Sequence, residues 1–135
     1  MTRYVDGGKP TTEVKFFEAA EDLRGWFDAN HETADELWIG LYKVGSGRNS
    51  VRWPEVVDEA LCVGWIDGIR KGIDDVSYRN RLTPRRRGSN WSAINIARVA
   101  ELEAAGRMRP AGRRAFEARD RAAPRTTAPG AEGTS

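Results

Sequence analysis

Residues 65–82 read Trp65-Ile66-Asp67-Gly68-Ile69-Arg70-Lys71-Gly72-Ile73-Asp74-Asp75-Val76-Ser77-Tyr78-Arg79-Asn80-Arg81-Leu82, and this stretch decides the fold. Trp65–Ile73 reads as a strand, with Trp65, Asp67 and Ile69 on one side and Ile66 and Gly68 on the other. Asp74-Asp75 makes the turn and Val76–Leu82 returns, a β-hairpin over 65–82. Upstream, Trp53-Pro54 opens a helix, proline standing at a first-turn position where its missing N–H costs nothing. Val56, Val57, Ala60, Leu61 and Gly64 form its inner face. Leu37–Tyr42 alternates Leu37, Ile39 and Leu41 with Trp38, Gly40 and Tyr42; both faces are apolar, which predicts a central strand. Gly45-Ser46-Gly47 is a turn. A helix from about Glu18 to Asn30 carries Leu23, Trp26 and Phe27 at helical spacing. Val14–Phe17 is either a short strand or the approach to that helix.

Downstream of the hairpin, Thr83–Asn90 reads as a loop, and Ser89 or Asn90 is placed to cap a helix running to about Ala105. Ile94, Ile96, Val99 and Leu102 face inward, and Gly106 stops it. A short helix after Pro110 carries Ala115 and Phe116. The expectation is a single α+β domain over 14–121: a small antiparallel sheet of about three strands, including the 65–82 hairpin, packed with about four helices. A flexible lead-in (1–13) precedes it and a disordered tail (122–135) follows. No βαβ rhythm is visible, which argues against a doubly wound sheet.

The chain has 135 residues, 39% hydrophobic and 31% charged. That suits one globular domain and excludes a disordered polyelectrolyte. No apolar run reaches the ~18 residues of a spanning helix, and Met1–Pro10 carries no apolar signal core. One cysteine (Cys62) and one histidine (His31) leave no internal disulfide and no zinc-finger pattern. No cofactor or metal motif is present, and a cytoplasmic location is expected. The net charge of +2 conceals an asymmetry: residues 1–75 hold 9 Lys/Arg and 15 Asp/Glu, residues 76–135 hold 13 and 5. Val76–Ala100 contains six arginines and no acid.

Three neighbouring segments carry the chemistry. Asp67 lies in an apolar strand, where a carboxylate needs a partner. The arginine loop 85–87 is the nearest source, so Asp67 is either half of a structural ion pair or a carboxylate serving a ligand as general acid or base. Arg85 and Arg86, with Ser89, stand just before a helix start, whose free N–H groups favour anions; the loop is either solvated or an anion site. Trp65 and Trp91 flank it and serve either the core or a planar ligand. Ser92 and Asn95 are either capping groups or ligand hydrogen-bonders. Cys62 reads as a buried thiol, His31 as a helix-end residue, and Tyr78 and Trp53 as packing.

The ordered motifs Leu61-Cys62-Val63-Gly64-Trp65-Ile66-Asp67-Gly68, Leu82-Thr83-Pro84-Arg85-Arg86, Ser89-Asn90-Trp91-Ser92-Ala93-Ile94-Asn95 and Gly106-Arg107-Met108-Arg109-Pro110-Ala111-Gly112 resemble the YdeI/OmpD-associated, or bacteriocin-protection, family. The likeness spans about Phe16 to Ala118, and Trp26, His31, Trp38 and Lys43 fit its N-terminal pattern. Val63 and Leu82 replace the aromatics usual there, and the helical segment that commonly follows is expected to be missing. The resemblance implies a link to resistance rather than a reaction.

The leading expectation is therefore a small-molecule binding domain for an anionic ligand with aromatic character. Arg85 and Arg86 hold the anion, Trp65 and Trp91 line the walls, and Asp67, Ser89, Ser92 and Asn95 orient it. Sequestration of a toxic compound would fit the family name. The alternative is an enzyme in the same pocket, with Asp67 as general acid or base and Arg85 stabilising charge. A third reading is nucleic-acid backbone binding along the arginine strip.

Overall fold

The computed structural model describes residues 13–120 and the backbone of two short paired strands, β1 (Val5–Asp6) and β2 (Lys9–Pro10). Apart from these strands and Glu13, the lead-in expected over 1–13 and the tail expected over 122–135 lie outside the described residues. The domain then runs β3 (Val14–Phe16), α1 (Ala20–Asn30), β4 (Leu37–Tyr42), α2 (Trp53–Val63), β5 (Trp65–Gly72), β6 (Ser77–Pro84), α3 (Ala93–Ala104) and α4 (Pro110–Glu117).

This is the expected α+β architecture with four helices, but the main sheet has four strands rather than three and is mixed rather than antiparallel. Its order is β3-β4-β6-β5. The added strand is β3, which pairs in parallel with β4 across the α1 connection. One βαβ unit is therefore present where the sequence suggested none. Three residues are too short to display a period of two, so the pairing is set by tertiary contact. β4 is interior, as both its apolar faces require. Its helix-side residues Leu37, Ile39 and Leu41 are buried.

The hairpin forms as read, with β6 two residues longer at its end: Trp65 pairs with Pro84 and Ile66 with Thr83. The register slips between Asp67 and Arg70, where three residue steps on β5 oppose two on β6. Such a bulge redirects side chains. It breaks the expected alternation, and Ile69 is exposed rather than aligned with Trp65 and Asp67.

α2 is the hub. Val56, Ala60 and Val63 face one core with Leu23 and Phe27 of α1, the sheet residues Leu37, Ile39, Leu41 and Leu82, and Trp65. Leu61 and Cys62 face a second core with Trp91, Val99, Leu102 and Met108. α2 ends at Gly64, whose φ of 78° turns the chain sharply into β5.

Candidate functional site

The charge asymmetry resolves inside the molecule. Arg81 of β6 donates to Glu36 at 2.6 Å, and Arg98 forms a two-point pair with Asp58 at 2.8 and 2.7 Å. Arg109 pairs with Asp28, and Arg107 with Glu59. Arginines of the basic half thus meet carboxylates of the acidic half. Arg79 lies over Trp38 with its guanidinium 4.5 Å from the ring centre. The strip from Val76 to Ala100 is consequently no continuous free basic surface: Arg79, Arg81 and Arg98 are engaged within the fold.

The loop after β6 is held at both ends. Arg85 N–H donates to the Gly64 carbonyl at 2.9 Å, and Gly88 N–H to the Ala118 carbonyl at 2.8 Å. Asp120 N–H donates to the Ser89 carbonyl at 2.9 Å. Ser89 and Asn90 therefore belong to a loop strapped to the end of α4, and neither caps α3. The cap is Ser92, whose hydroxyl accepts the Asn95 N–H at 3.1 Å. Buried and so engaged, Ser92 fills the capping role, one of its two expected alternatives.

Arg85 is the centre of the site. Its guanidinium stacks on Trp91 at 4.0 Å and feels the charge of Asp67. Burial lowers its pKa to about 10, against the opposing pull of Asp67. Trp65 and Trp91 are each 1% exposed. Trp65 meets Phe27 and Trp26 edge to face, and Trp91 meets Phe116 in the same way. Both tryptophans are core residues, and neither offers an open wall to a ligand; Trp91 acts instead as a platform for Arg85.

The single pocket expected from the sequence is thus two spaces that share Arg85. The inner one, bounded by Trp65, Asp67, Leu82, Arg85 and Asn95, is about 10 Å³, the room a single water needs. The outer one is about 330 Å³ and is lined by Ile66, Thr83, Pro84, Arg85, Arg86, Ser89 and Asn90. Of its lining, Ser89 Oγ and Asn90 Oδ1 are buried with no hydrogen-bond partner in the structure. Burying such atoms unpaired is costly, so they mark where a further polar group belongs. The structure therefore brings Arg85, Arg86 and Ser89 together and puts Asp67 and Asn95 behind them. Ile66, Thr83, Pro84 and Asn90 join the outer wall unannounced. The signal for Thr83 and Pro84 was the extension of β6, which the proline concealed.

Cys62 is buried, and burial pushes its thiol up to about 11, which removes it as a nucleophile. His31 places Nδ1 2.6 Å from the Phe27 carbonyl at the end of α1. Among the described residues no group of three or more His, Cys, Asp or Glu is arranged to hold a metal, and no helix is long and apolar enough to cross a membrane.

Residues 15–115 match the family described as a domain of unknown function, DUF8412. No curated protein matches the chain, and no solved structure does.

Proposed function

The chain belongs to the DUF8412 family, and from the loop between β6 and α3 we propose that it binds a small anion in the outer cavity at residues 83–90. The observation that carries this reading is two arginines together with the buried, partnerless Ser89 hydroxyl, a donor, lining one space of about 330 Å³. Arg85 is pre-positioned by its stack on Trp91 and the nearby charge of Asp67, so little freedom remains to be lost when an anion arrives. Arg86 is exposed and finds no carboxylate among the described residues, which leaves its charge for a ligand. An aromatic part of the ligand would lie on the apolar lip made by Ile66 and Pro84, since the tryptophans are enclosed. The likeness to YdeI/OmpD-associated motifs supports sequestration of a harmful compound as the role.

The enzyme reading is favoured by one observation, the proximity of Asp67 to an arginine whose pKa is lowered by burial. Against it, the space beside Asp67 admits a water and no substrate.

Equilibrium binding of benzoate and of inorganic phosphate to wild type, Arg86→Gln and Asp67→Asn separates these readings. The binding module predicts that Arg86→Gln weakens both probes by about tenfold, one charge-assisted contact's worth. Asp67→Asn should change affinity far less. Unchanged affinity in Arg86→Gln overturns the proposed site. Steep loss of binding with added salt would point instead to a backbone-tracking polyanion site.

A further inference from the structure

The segment between β4 and α2 reads in the sequence only as a turn, yet the structure builds a cleft there. It lies at the carboxyl end of β4 and encloses about 620 Å³, within the range of small-molecule sites. Lys43, Arg48 and Arg52 line it, and no carboxylate does. Tyr42, Trp53 and Tyr78 supply ring surface.

Several independent features point the same way. Gly45 and Gly47 have φ of 86° and 81°, which folds the loop tightly at the cleft mouth. Ser46 N–H donates to the Lys43 carbonyl, and Ser46 Oγ accepts the Arg48 N–H, each at 3.1 Å. The first residues of α2, Trp53 and Pro54, form part of the wall. The positive end of this 11-residue helix lies at that wall, but the Glu55 carboxylate in its first turn offsets it, so the three cations carry the field. Glu55, the nearest acid of that helix, accepts the Arg52 N–H at 2.8 Å and is turned to its own cap. Leu41 and Tyr42, at the carboxyl end of the interior strand β4, line the cleft. The rings are held in place from one face: Arg70 lies over Tyr78 and Trp53, 4.5 and 5.3 Å from the ring centres, and Arg48 lies over Tyr42 at 4.7 Å and donates to its hydroxyl at 3.1 Å.

We propose that this cleft is a second ligand site that takes a mononucleotide. Lys43, Arg48 and the glycine turn receive the phosphate, and the base lies against Trp53 and Tyr78. Aromatic surface and three cations lining one cleft suit a planar base joined to a phosphate better than either part alone. The loop lacks the Gly-x-x-x-x-Gly-Lys spacing of the nucleotide-hydrolysing phosphate loop, so the inference is binding and not phosphoryl transfer.

The test is calorimetric titration of the full chain with AMP, GMP, CMP and UMP, with adenosine and inorganic phosphate as part-ligands. At least one nucleotide should bind about tenfold or more tighter than adenosine or phosphate alone. The exposed double variant Lys43→Gln/Arg48→Gln, its fold checked by circular dichroism, should lose about tenfold or more of that affinity. Arg86→Gln, at the other site, should weaken only the phosphate binding of that site and leave the tighter nucleotide affinity lost in the double variant in place. The proposal is overturned if none of the four nucleotides binds at about 1 mM. It is equally overturned if the double variant binds as wild type does, or if Arg86→Gln alone removes binding.

Discussion

Replacing Glu59 by glutamine removes one negative charge from the hub helix while keeping its shape. Glu59 is 2% exposed, on α2, and its carboxylate accepts from Arg24 Nε at 3.2 Å, Arg24 Nη2 at 2.8 Å and Arg107 Nη2 at 2.7 Å. It therefore ties α1 and the α3–α4 connection to α2. Breaking a fully buried ion pair from one side costs about 3–5 kcal/mol. Here the two arginine side chains are 37% and 32% exposed, so they turn to water rather than remain buried and unpaired. Glutamine also keeps one acceptor. Both effects place the loss below that range, at about 2 kcal/mol, close to one charge-assisted bond. Urea unfolding of wild type and Glu59→Gln reads it directly, with Arg24→Gln and Arg107→Gln completing double-mutant cycles. A loss below about 0.5 kcal/mol, with additive cycles, would refute the view that this cluster fastens the helices to one another.

Other outcomes follow from single contacts. A Cβ at Gly112 of α4 would collide with the Cys62 backbone carbonyl, so Gly112→Ala should cost about 1–3 kcal/mol by urea unfolding; a neutral result would mean that α4 does not pack this closely on α2. The buried Cys62 thiol, raised to about 11, should react with a disulfide reagent only after denaturant is added; rapid labelling of the native protein would contradict its burial. Hydrogen bonding from Arg109 lowers the pKa of Asp28 below its usual 3.8. A lowered carboxylate stabilises the fold above 3.8 and ceases to do so as pH falls through its folded value. The gap in urea midpoint between wild type and Asp28→Asn should therefore close on acidification, and a gap that widens would reverse the sign of the argument.

How much of this was legible in the sequence depends on how local each cause is. The bounds of β4 match its alternation residue for residue, and the hairpin, α2 and α4 follow from proline, glycine and apolar spacing. β3 was ambiguous because Val14-Lys15-Phe16 is too short to show a period and its partner lies across α1. The bulge beside Asp67 leaves no mark in composition. The partners of Arg81, Arg98, Arg107 and Arg109 lie between 40 and 81 residues away in the chain, so the arginine strip resembled a free surface until the fold neutralised it. The grouping of Arg85, Arg86 and Ser89 was readable because they are neighbours in the chain. That Trp65 and Trp91 are enclosed was not, since their burial depends on Phe27 and Phe116 from other elements.

Residue-resolved NMR during a phosphate titration shows whether the loop at 83–90 receives a small anion. Saturable shifts should concentrate at the amides of Thr83 to Trp91, Pro84 excepted, and at the Arg85 side-chain Nε–H, all suppressed in Arg86→Gln. Shifts spread evenly over the exposed arginines, or a loop response that persists unchanged in Arg86→Gln, would contradict it.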